Sequence, residues 1–101
     1  MDRQEEIQIM QRAIDKYGVQ SQIDKLIEEC SELIKAVLKL RYAKPTGVEH
    51  DILIDAVSEE TADVEIMLEQ VHMIYGNNDK VAEYREKKLE RLKYRMDGKF
   101  V

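Results

Sequence analysis

The chain of 101 residues has no Trp, one Phe, one Cys, one Pro and four Gly. A lone Cys30 excludes an internal disulfide framework. So few helix breakers leave long helices uninterrupted. No uncharged apolar run approaches the roughly 20 residues needed to span a bilayer, so no membrane association is expected. The charged start MDRQEE lacks the apolar stretch of a secretory signal, so a cytoplasmic protein is expected. A net charge of −5 disfavours general attraction to nucleic acid, and no stable nucleic-acid binding is expected.

The sequence does hold many Glu, Lys, Leu and Ile, with 44% apolar and 37% charged residues, a composition suited to long helices. The expected fold is a single all-α domain over residues 1–101, an antiparallel bundle of four main helices. The first runs from about Arg3 to Tyr17 and stops near Gly18. The second runs from about Ser21 to Tyr42, broken by AKPTG. The third runs from about His50 to Tyr75, stopped by Gly76, and the fourth from about Asp79 to Met96, with Asn77 or Asn78 as its N-cap. A domain of this size buries only roughly 60 to 65% of its unfolded surface, so oligomerisation into a homodimer or homotetramer is expected.

Each helical residue turns about 100°, so side-chain directions follow from the numbering. With Leu26 as zero on the second helix, Ile23, Ile27, Cys30, Leu33, Ile34 and Val37 fall between about −20° and +100°, the expected buried face. Glu29 and Glu32 lie beside it at about −60° and −120°, small Ala36 leaves room near them, and Glu28 points to solvent at about 200°. With Glu60 as zero on the third helix, Leu53, Ala56, Val57, Val64, Met67, Val71 and Ile74 all fall within about 60° of it. Glu60 therefore sits in the middle of an apolar stripe, with Asp63 at its edge and Glu59, Glu65 and Glu69 turned toward water. On the fourth helix a stripe of Val81, Leu89, Leu92 and Met96 includes Arg85, with Lys88 at its margin and Arg91 and Arg95 continuing that side.

A carboxylate in an apolar stripe must be protonated, ion-paired or metal-bound. One reading is a salt bridge from Glu60 to Arg85 or Lys88, with Glu29 and Glu32 as ordinary surface charges. The other takes the four acids together. Two helices each present acids at i and i+3 toward one side of a core, and a hard divalent cation makes such a cluster tolerable. His50 and His72 lack the partners of a nucleophilic or zinc site, Cys30 reads as a structural residue on the apolar face, and no P-loop spacing is present.

The two halves, EECSE with Glu29 and Glu32 and EETAD with Glu60 and Asp63, resemble the ExxE and ExxD signature of the MazG-like, all-α nucleoside triphosphate pyrophosphohydrolases, from about Tyr17 to Met96. Relatives often carry Gly where Ala62 stands, and the Arg41 to Glu49 gap is long for the family. The resemblance implies a bundle completed by subunit pairing, in which Glu29, Glu32, Glu60 and Asp63 are the catalytic, metal-holding residues. They would hold Mg²⁺, or Mn²⁺ in its place, against a nucleoside triphosphate. Water attack on the α-phosphorus would then release pyrophosphate and a nucleoside monophosphate. Position on the fourth helix makes Lys88, Arg91 and Arg95 candidate phosphate contacts, and Tyr17, Tyr42, Tyr75, Tyr84 and Tyr94 candidate platforms for the base. The alternative is a noncatalytic helical interaction or metal-binding module on the same bundle.

Overall fold

The computed structural model describes residues 1–98, which form four helices joined by short turns: α1 (Arg3–Tyr17), α2 (Val19–Arg41), α3 (Val48–Tyr75) and α4 (Asn78–Met96). No helix among the described residues is long and apolar enough to cross a membrane. The punctuation is where the sequence places it. The Asp2 carboxylate accepts the Glu5 amide at 2.8 Å and caps α1, with Glu5 and Glu6 favourably placed in the first turn. Gly76 ends α3 in the left-handed conformation at φ 58°, its amide donating to the His72 carbonyl at 2.8 Å.

Two starts differ from expectation. Helix α2 begins at Val19 and α3 at Val48, each two residues earlier than the sequence suggests. In both cases a glycine stands where a side-chain cap would, and the helix extends back to it without a capping side chain. Gly18 alone connects α1 to α2, at φ 89° and ψ 156°, a region essentially reserved for glycine. Asn77 occupies the N-cap position of α4, but its side chain makes no capping bond.

Helices α2 and α3 form the main packed pair, an antiparallel hairpin closed by residues 42–47. Helix α1 lies against both, contributing Met10 and Ile14, one turn apart, to a core shared with Ala36, Val64 and Met67. Arg3 also reaches Glu69 of α3 at 2.6 Å, an exposed pair that solvent screens and that adds little to stability.

A bundle closed by four helices within one chain is not what forms. No residue of α4 is buried, and it makes no substantial packing with α1, α2 or α3. Its stripe is interrupted by Arg85, and burying an unpaired guanidinium costs more than the short apolar flanks return. The radius of gyration is accordingly 17.3 Å, against about 13 Å for a compact domain of this length. The burial of α2 is also rotated from expectation. Its buried residues are Gln22, Glu29 and Ala36, centred at about −60° on the scale above, while Ile27, Ile34 and Val37 are exposed.

Two substitutions test this packing. Met67→Ala is expected to lower stability by about 2–5 kcal/mol in chemical denaturation, because Met67 sits at the centre of the shared core. Gly18→Ala is expected to cost about 1–3 kcal/mol through backbone strain, although the site has space for the methyl group.

Candidate functional site

Glu60 and Asp63 project from one face of α3, one turn apart, and Glu29 meets them from α2. One carboxylate oxygen from each lies within 4.8 Å of the others. The convergence follows from the rotation of α2 toward its Glu29 side. Glu29 is buried at 8% exposure, and small, buried Ala36 two turns on lets α3 come close. Glu28, about 100° further round the same helix, has a side chain 62% exposed.

Three of the four expected acids thus come together. Glu32 stands at the rim, its side chain 45% exposed and its Oε1 3.5 Å from Lys35 Nζ, yet its charge still contributes to the field on Glu60. The outward acids follow their predicted directions: Glu59 and Glu65 are exposed, and Glu69 is engaged by Arg3.

Glu60 is the strained member. Its Oε2 is shut off from solvent and has no hydrogen-bond partner. Loss of hydration, then the charges of Asp63, Glu29 and Glu32, push its carboxyl above the ordinary range. The salt bridge from Glu60 to Arg85 or Lys88 is not formed among the described residues, because α4 does not lie against α3. Lys88, Arg91 and Arg95 are all exposed on α4, and no charge on α4 is among those that shift Glu60. Within one chain, therefore, the three expected phosphate contacts are not part of the cluster.

The cation that does reach the cluster is Lys25. Its Nζ lies 3.1 Å from Glu29 Oε1 and 3.8 Å from Glu28 Oε2. The bond to Glu29, then the charges of Glu28 and Glu29, with a lesser contribution from Asp63, hold its ammonium above the usual lysine value. Sequence directions aimed at apolar and acidic positions passed over Lys25, although it stands four residues before Glu29 at ordinary ion-pair spacing. Beside it opens a hollow of about 450 Å³ lined by Tyr17, Ser21, Gln22, Lys25 and Met67, within the size range of small-molecule sites.

The donor set suits a hard divalent cation. All three ligand atoms are carboxylate oxygens, and one flanking oxygen is buried without a partner. Adjacent ligands on an octahedral Mg²⁺ are about 2.9 Å apart and opposite ones about 4.2 Å, so the trio would have to draw closer to reach ligand spacing. One ammonium, shared with Glu28, leaves the three acids under-neutralised.

Because the Glu60 pKa is raised in the folded state, its ionised form opposes folding. That opposition is full above the folded pKa and fades as pH falls toward the unfolded value. Glu60→Gln is therefore expected to raise Tm at neutral pH in the presence of chelator, and the gain is expected to vanish on acidification below the ordinary glutamate range. A lower Tm at neutral pH would mean that Glu60 has a stabilising partner.

Comparison with protein-family models, with curated proteins and with solved structures finds no match to this chain.

Proposed function

We propose that the chain is a Mg²⁺-dependent nucleoside triphosphate pyrophosphohydrolase, similar to the MazG-like enzymes, cleaving (d)NTP to (d)NMP and pyrophosphate. The observation that carries this reading is the convergence of Glu29, Glu60 and Asp63, with an unpartnered buried oxygen on Glu60. Acids at ExxE and ExxD spacing on consecutive helices supply that convergence, and Mn²⁺ satisfies the same all-oxygen donor set.

Glu29, Glu60 and Asp63 would hold the metal, with Glu32 at the rim. When bound, Mg²⁺ would neutralise charge on the phosphates and lower the pKa of water at the site. In the reaction a water oxygen bonds to the α-phosphorus and gives up a proton that passes to solvent, the bond from that phosphorus to the bridging oxygen breaks, and pyrophosphate leaves with that oxygen. Lys25 is the chain's own cation for this step. With Glu29 engaged by metal, its ammonium is free to meet a phosphate oxygen, the contact that position on the fourth helix suggests for Lys88, Arg91 and Arg95. The hollow beside Lys25 gives the nucleoside a place next to the cluster, with the Tyr17 ring at its wall.

The test is product analysis after incubation with Mg²⁺ and a panel of canonical and modified NTPs and dNTPs. Pyrophosphate plus monophosphate is expected from the unmodified protein and none from Glu60→Gln. Lys25→Met is expected to keep the fold and lower kcat/KM by about 10- to 100-fold, the loss of one charge-assisted phosphate contact.

A second reading, a noncatalytic interaction module, draws on the uncovered apolar faces of α2 and α4. It requires no turnover across the whole panel and partner binding that is unaltered when Glu29 and Glu32 are replaced by Gln.

A further inference from the structure

The hollow beside the acid cluster ends at a helix start that no side chain caps. Helix α2 begins at Val19, Gly18 brings nothing to the cap position, and no acidic residue stands in the first turn. The Gln22 amide donates to the Gly18 carbonyl at 3.1 Å and closes the first turn. The amides of Val19, Gln20 and Ser21 are therefore left without a helical partner, at the positive end of the helix dipole.

A second observation lies at the same place. Gln22 is only 8% exposed and lines the hollow of about 450 Å³, yet its side chain forms no hydrogen bond among the described residues. A buried carboxamide with neither its donors nor its acceptor engaged is costly, and a ligand that bonds to it removes the cost. The other charged and polar lining groups are the Tyr17 and Ser21 hydroxyls and the Lys25 ammonium, with no carboxylate among the described lining residues. Lys16 adds a second ammonium nearby, its Nζ 5.5 Å from the centroid of the Tyr17 ring. Free amides, a hydroxyl, an unengaged carboxamide and two cations make a setting that an oxyanion suits.

We propose that the Gly18 end of this hollow binds an oxyanion of the phosphate class, held by the first-turn amides of α2 and the side chains of Ser21 and Gln22, with Lys25 at its border. Ser21 stands eight residues before Glu29, about 12 Å along the helix, so this anion is separate from any phosphate that a metal would hold at the acids. In the catalytic reading the nucleoside lies between the two, and the anion is a phosphate on its sugar. Free phosphate satisfies the same donors. The site needs neither metal nor turnover, so it can stand where the catalytic reading fails, and the reverse.

The experiment titrates the full ¹⁵N-labelled chain with inorganic phosphate in chelator, with chloride holding the ionic strength constant. Saturable shifts centred on the Val19, Gln20 and Ser21 amides and the Gln22 side-chain amide are expected. Ser21→Asp puts a carboxylate at the third helical position, where the dipole favours it. That variant is expected to fold with an equal or higher Tm and to bind phosphate at least about tenfold more weakly. Repeating the titration with a nucleoside 3′,5′-bisphosphate and its 5′-monophosphate identifies the source. The same shifts from the bisphosphate, at concentrations where the monophosphate gives none, support a sugar phosphate, and shifts from inorganic phosphate alone support the free ion. No saturable shift at these amides with any of the three, or phosphate binding unchanged in Ser21→Asp, would overturn the proposal.

Discussion

The structure turns on three like charges held close together at a helix–helix contact. Helices α2 and α3 pack through the face that bears Glu29, Glu60 and Asp63, so the strongest tertiary contact in the chain also creates its worst electrostatic conflict. The described residues bury only five apolar side chains, so little core burial stands against such a conflict. The chain answers it only in part, by one lysine on Glu29 and a half-solvated rim at Glu32. A residual negative site is the result, with hard oxygen donors and one oxygen left unbonded, the chemistry that a small cation would suit.

Much of this was legible in the numbering alone. The direction of Glu60 among Val64, Met67 and Leu53 was readable because α3 has a wide apolar stripe; Val64 and Met67 of that stripe are buried, together with Gln70, which lies just outside it. The pairing of Glu29 with Glu60 and Asp63 follows from placing both acidic rows on one side. The burial of α2 was harder to read. Its apolar residues centre on one direction and its buried residues on another, because hydrophobic periodicity marks every face meant to lose water, in whatever assembly removes it. Ile27 and Ile34 obey the pattern and remain exposed; Glu29 violates it and is buried.

Helix α4 fails in the same instructive way. Sequence spacing places Val81, Leu89, Leu92 and Met96 on one strip, and they are on one strip, but periodicity says nothing about which chain the strip should meet. The phosphate contacts expected of Lys88, Arg91 and Arg95 rest on their positions along α4, and within one chain α4 does not lie against the cluster. Lys25 was overlooked for the opposite reason, since its position is local to Glu29 and needed no assumption about distant packing.

If Glu29, Glu60 and Asp63 form a divalent-cation site, Mn²⁺ titration followed by electron paramagnetic resonance will show saturable binding that weakens sharply in Glu60→Gln. Equal binding to both proteins, or none to either, would rule the site out.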